Sequence, residues 1–279
     1  MIPQTQDPTR EGRSEAPPRG LARFVDDLQA RGRYTFRREE AVDALRVSDI
    51  AFSRAARRLV ARRRLASPRR GFFVVVPQEY SRAGAPPPSW LIADLMAYHD
   101  QCYYVGLLSA AALHGAAHQQ PQEFQVMTDR TLRPTTVGRA RIRYFVKRHL
   151  RQTPTMDVKT YTGAMRVSTP ESTAIDLVRY VESAGHLSNV ASVLAELAEV
   201  LDSSRLVQAA QADVELSVVQ RLGFLLSYVG AAAVAEPLAR WLDEQRPRPV
   251  PLRSDREPGV ASKDSTWQVF VNESVELDV

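Results

Sequence analysis

The stretch FSRAARRLVARRR, Phe52 to Arg64, threads six arginines through an apolar set spaced three and four apart. That pattern is an amphipathic helix with a cationic outer face. Placed on a helix over residues 48–64, about 25 Å long, Phe52, Ala55, Ala56, Leu59 and Val60 form the inward face. Ser53, Arg54, Arg57, Arg58 and Arg62 form the outward one, with Arg64 at the end. Arg63 falls four after Leu59, on the apolar side, so the helix clears the core by there.

The flanking residues say what this helix packs on. Leu21, Phe24, Val25 and Leu28 repeat at helical spacing, and Gly32 suits a stop. Thr35 reads as the N-cap of a second helix that turns Ala41, Val42 and Leu45 inward. Ser48 caps the arginine helix, with Asp49 in its first turn. A turn at Pro68 to Gly71 and a β-rich run from Phe72 to Val76 follow. Three helices and then a short β element is the order of a winged helix-turn-helix.

Beyond it, PQEYSRAGAPPPS is the expected linker, stiffened by three consecutive prolines. The rest mixes the two periods. Helices are expected in SWLIADLMAYH, VGLLSAAALHGAA, PESTAIDLVRYV, SNVASVLAELAEVL, ELSVVQRLGFLLSYV and EPLARWLDEQ. Strands are expected in EFQVMT, RIRYFVK, KTYTG, TWQVFVN and VELDV. The expected fold class is α+β: an N-terminal winged helix-turn-helix, then a larger mixed α/β domain. The expected division is a disordered tail over 1–19, the winged helix over 20–78, the linker over 79–89 and the large domain over 90–279.

Charge separates the same regions. Residues 1–90 carry 18 Arg, no Lys and 10 Asp and Glu, a net +8; residues 91–279 carry 19 Arg and Lys against 22 Asp and Glu, a net −3. A basic module on a near-neutral one points to a polyanion partner for the first. No apolar run is long enough to span a membrane. The opening residues lack the apolar core of a secretory signal, and the single cysteine, Cys102, excludes an intramolecular disulfide and a Cys-based zinc finger. The expected compartment is the cytoplasm.

A DNA major groove admits one α-helix, and arginine forks onto guanine edges or phosphates. Ser53, Arg54, Arg57 and Arg58 are the candidates for bases or adjacent phosphates, and Arg62, Arg63 and Arg64 for the backbone. Arg69 and Arg70 sit where a wing would touch flanking phosphates. Arg139, Arg141 and Arg143 alternate along a strand and form a candidate second DNA surface, against the plainer reading of a solvated face. No aromatic platform for single-stranded RNA accompanies the basic module.

Five segments carry a family resemblance: GRYTFRREEAVDAL, RRGFFVVVPQEY, YYVGLLSAAALHGAAHQQPQEFQV, STPESTAIDLVRY and WQVFVNESVELDV. Together they resemble the AbiEi-type antitoxins of type IV toxin–antitoxin pairs. The resemblance implies a winged helix that binds inverted repeats in its own promoter and represses the operon. It implies a C-terminal domain that opposes a nucleotidyltransferase-like toxin, with direct contact left open and dimerisation on the operator one arrangement. It implies no catalytic residues.

Other chemistry is not spelled out. His114 and His118 have the spacing of a zinc-binding helix, but Gly115 stands where the general base belongs, so no metal is expected. Glu276 and Asp278 read as edge-strand charges, and Glu171 as a complement to its helix N-terminus. Asp176 has no role that the sequence shows. Nucleotide-binding glycine motifs and a serine-nucleophile elbow are absent, so neither an enzyme nor a cofactor is expected. Four readings remain open: a DNA-binding antitoxin and autorepressor, a module that sequesters a toxin directly, a regulator unrelated to toxins, and a DNA-acting enzyme with its catalytic residues in the large domain.

Overall fold

The computed structural model describes residues 20–116, 121–213, 215–257 and 259–277. The expectations for the tail over 1–19, for His118 and for Asp278 lie outside them. The fold class is as expected: a small N-terminal unit precedes a larger α/β one.

The N-terminal unit runs α1 (Leu21–Ala30), β1 (Thr35–Arg37), α2 (Arg38–Leu45), α3 (Asp49–Ala61), β2 (Leu65–Arg69) and β3 (Phe72–Val75). Its antiparallel sheet has the order β1-β3-β2. The α1 stripe of Leu21, Phe24, Val25 and Leu28 is buried, and Gly32 takes φ +72 just past the helix. Two local expectations are corrected. Thr35 lies in β1 and caps nothing; its hydroxyl donates to Asp94 of the larger unit, and α2 opens after Arg37 without a side-chain cap. Val60 is 40% exposed; of α3, Phe52, Ala56 and Leu59 are buried in the core and Ala55 packs against its edge.

Residues 78–90 form two short 3₁₀ turns. The larger unit continues with α4 (Ile92–Tyr98), β4 (Tyr103–Val105), α5 (Leu107–Leu113), β5 (Phe124–Thr128), β6 (Thr135–Val137), β7 (Ala140–Val146), β8 (Thr155–Thr160) and β9 (Gly163–Ser168). Then come α6 (Pro170–Arg179), α7 (His186–Leu197), α8 (Ser203–Ala212), α9 (Leu216–Tyr228), α10 (Ala232–Glu244), β10 (Val250–Pro251), β11 (Ser262–Asp264) and β12 (Val269–Val271). Six strands make one mixed sheet in the order β6-β7-β5-β4-β9-β8, and β10-β12-β11 make a small second one. KTYTG spans the end of β8, the turn at Tyr161 and Thr162 and the first residue of β9, and residues 274–277 carry no strand.

Alternation along the central strands feeds two cores. Tyr104, Met127 and Phe145 point into the core built with α5 to α10. Val105, Val126 and Ile142 point into a second core with Ile92, Leu95 and Met96 of α4. That second core also holds Phe72 and Val74, whereas Phe73 and Val75 point into the N-terminal core. β3 is thus buried on both faces, and it joins the two units.

One charged network lies inside the larger unit. Asp176, fully buried, accepts hydrogen bonds from Tyr104 Oη at 2.6 Å and from Lys147 Nζ at 2.6 Å. Burial, and then the neighbouring Asp176 carboxylate, push the Tyr104 hydroxyl well above its ordinary pKa, so it serves as a donor. Removing Asp176 leaves Lys147 with only the more distant Asp213, at 3.6 Å, and Tyr104 without its acceptor. Asp176→Ala is expected to cost about 3–5 kcal/mol in urea denaturation. Replacing both partners, as Lys147→Met with Asp176→Leu, should recover most of that loss.

Candidate nucleic-acid interface

Local sequence rules set the turn between α2 and α3. Arg46 takes the left-handed conformation at the C-cap of α2, with φ 51. Ser48 then caps α3, its Oγ accepting from the amide of Ala51 at 3.3 Å. Asp49 in the first turn pairs with Arg38 at 2.9 Å, and the Arg38 guanidinium lies 5.8 Å from the centroid of the Phe52 ring. That pairing holds the N-terminus of α3 on α2. At the other end Arg63 takes φ 55 and Arg64 donates its amide to Leu59 O at 2.9 Å, so the helix stops before it can drive Arg63 inward.

α3 packs chiefly on α1, α2 and β2, and the larger unit leaves its outer face open. Arg54, Arg57, Arg58, Arg62 and Arg63 are exposed, and none has a side-chain partner among the described residues. Ser53 is half-buried at the edge of this face. Spacings of three and four put Arg54, Arg57, Arg58 and Arg62 on one side of the helix. The result is a convex cationic ridge.

Two arginines expected at the DNA surface, Arg64 at the end of the helix and Arg69 at the wing turn, are engaged elsewhere. Arg64 forms an ion pair with Asp26 of α1. Arg69 turns away from the β2–β3 tip and into the junction with the larger unit. Its guanidinium donates to Arg133 O and to Thr135 Oγ1, the latter at 2.6 Å, and its Nε is buried without a partner. Arg70 stays exposed at the tip. Sequence spacing carried no signal for either diversion, because the partners lie 38 and 66 residues away. It also missed Arg46, exposed in the turn before α3.

The candidate second surface is only partly free. Arg141 Nε and Arg143 Nη1 share Glu123, at 3.0 and 3.5 Å, and Arg143 also lies 5.0 Å from the Phe145 ring centroid. Arg139 is exposed, and its amide donates to Ala83 O at 2.8 Å. His114 Nε2 lies 2.8 Å from Ser168 O. Among the described residues no cluster of His, Cys, Asp and Glu is placed to hold a metal ion, and no helix is long and apolar enough to cross a membrane.

Fold and surface together show a small helical unit with an arginine-rich face, seated on a larger mixed-sheet unit. Residues 104–228 match the AbiEi antitoxin C-terminal domain. That match, over less than half of the chain, supports an antitoxin role in a toxin–antitoxin pair. No curated protein matches the chain. Among solved structures it is similar to the RV2827C protein from Mycobacterium tuberculosis, at 16% identity, with a TM-score of 0.64 and 89% of each chain covered. At that identity the likeness speaks for the fold alone.

Arg69 offers a test of the junction. Arg69→Ala leaves Thr135 and the Arg133 carbonyl without their donor, an expected loss of about 1–3 kcal/mol in chemical denaturation. Arg70→Ala, one residue along, should stay within about 0.5 kcal/mol of the parent.

Proposed function

We propose that residues 20–78 are a winged helix-turn-helix that binds operator DNA through α3. The chain would thereby act as the autorepressing, non-enzymatic antitoxin of a type IV pair, opposing a nucleotidyltransferase-like toxin. The division into residues 20–78, a connecting 79–89 and a larger 90–279 belongs to the same proposal. The observation that carries it is the run of five unpartnered guanidiniums on and just after α3, on the side the larger unit leaves open. The order α1-β1-α2-α3-β2-β3, with the sheet order β1-β3-β2, supports the winged-helix reading.

In this reading Ser53, Arg54, Arg57 and Arg58 face base edges or the nearest phosphates. Arg62, Arg63 and, at the wing tip, Arg70 face the flanking backbone. Arg69 and Arg64 drop out of the contact set and instead hold the module's shape. Two copies on an inverted repeat would set two α3 helices about 34 Å apart, one turn of DNA.

The test is a gel-shift series on the upstream promoter fragment at several salt concentrations. Each phosphate contact contributes about 0.9 to the slope of log K against log salt. Arg62→Ala with Arg63→Ala should reduce the slope by about 2 without changing sequence preference. Arg54→Ala, Arg57→Ala and Arg58→Ala together should abolish the preference, since each bidentate base contact is worth about 1–3 kcal/mol. Operator affinity untouched by the triple change would overturn the proposal and favour direct sequestration of the toxin.

A further inference from the structure

The α-helical half of the antitoxin domain contains a cavity of about 470 Å³ between α6, α9 and the segment after β10. Its size is that of a small-molecule site. Buried Val178, Leu187, Val218 and Leu252 form an apolar floor. Arg221, from α9, lines it as well.

Arg221 differs from the other two arginines of the lining. Arg179 is held by Asp213 and Glu215, and Arg253 by Asp255, Glu273 and Glu182. Arg221 has one hydrogen bond, from Nε to Pro251 O at 2.9 Å, and no ion pair among the described residues. Each acid around the cavity is already engaged: Glu215 with Arg179, Glu182 with His186 and Arg253, and Asp255 with Arg253. Burial lowers the pKa of the Arg221 guanidinium, and Glu215 only partly offsets this. A half-buried cation with no ion pair of its own, and only a shared, more distant carboxylate in Glu215, is costly in a fold that pairs its neighbours directly. With Nε fixed on the backbone, both Nη atoms remain for a planar fork onto an oxyanion.

We infer that this cavity binds a small organic oxyanion, a carboxylate or phosphate monoester with an apolar body, with its charge on Arg221 and its body on the valine and leucine floor. The site is separate from the α3 ridge, and the inference does not rest on DNA binding.

Isothermal titration of the full chain with hexanoate and with phenyl phosphate tests it. Inorganic phosphate serves as the charge without the body, and hexanol as the body without the charge. At least one of the two organic anions should bind saturably, one per chain, and at least tenfold more tightly than either control. Arg221→Gln should weaken that binding at least tenfold, and Arg148→Gln should leave it unchanged. Circular dichroism checks that each variant is folded. If Arg221→Gln does not fold, the parent's preference for hexanoate over hexanol, or for phenyl phosphate over inorganic phosphate, decides. The inference fails if neither organic anion saturates, if Arg221→Gln binds as the parent does, or if inorganic phosphate binds as tightly as phenyl phosphate.

Discussion

The four residues of β3 hold the structure together. Phe72 and Val74 belong to a core of the larger unit, and Phe73 and Val75 to the N-terminal one. Successive side chains of a strand point to opposite faces, so a single short strand is structural to both. Either unit without the other would expose two large apolar side chains. The polar contacts at the junction follow from that apolar commitment. Thr35 reaches Asp94, Tyr98 donates to Arg70 O at 2.6 Å, and Arg69 reaches Thr135. The junction is closed by rings: Trp90 stacks on Tyr161 at 4.3 Å, and Tyr34 of the N-terminal unit lies 4.9 Å from Trp90. The outer face of α3 therefore has a fixed direction relative to the antitoxin domain. A connecting segment that ran free would not impose this. Here Gly138 sits so close to Ala83 O that no side chain would fit.

What was legible in the sequence was what depends on near neighbours. The α3 ridge could be read because helical periodicity and arginine placement are both local, and the cap at Ser48 because a cap and its amide lie three residues apart. What could not be read depends on distant partners. Arg64 and Arg69 look like their neighbours in sequence, and only folding brings Asp26 and Thr135 to them. β4 is three residues long, lies beside Gly106 and pairs with strands on both sides, so no alternation reveals it. Glu171 was read as a complement to its own helix. It is 1% exposed, and its Oε1 accepts from the amide of Asp202, at the start of α8. The local explanation was sufficient in sequence and incomplete in space.

Asp176 shows the same limit in the core. Its helix was recognised, but nothing nearby in sequence explained a carboxylate on a buried face. Its partners come from β4 and from the end of β7, at Tyr104 and Lys147. The chain uses arginine for nearly every cation, yet the cation here is lysine. Steric reasons favour that choice. An ammonium is a compact point charge that fits between Asp176 and Asp213, whereas a planar guanidinium needs room for its fork. Arg179, at the rim, has that room and spans Asp213 and Glu215.

The free arginines of α3 call for a reason outside the fold. Part of the set has an internal one: Arg58 lies in the last turn and Arg62 and Arg63 just beyond it, where a cation complements the helix dipole by about 0.3–1 kcal/mol. Arg54 and Arg57 sit in the middle of the helix, where that benefit has faded. They also face like charges three and four residues away, each such pair unfavourable by about 0.2–0.5 kcal/mol. Acidic residues could relieve this repulsion, but the one acid of α3, Asp49, is bound to Arg38 at the opposite end. The ridge is mildly unfavourable to the isolated chain, and the polyanion partner proposed above would offset that cost. A duplex supplies one negative charge for about every 1.7 Å of its axis.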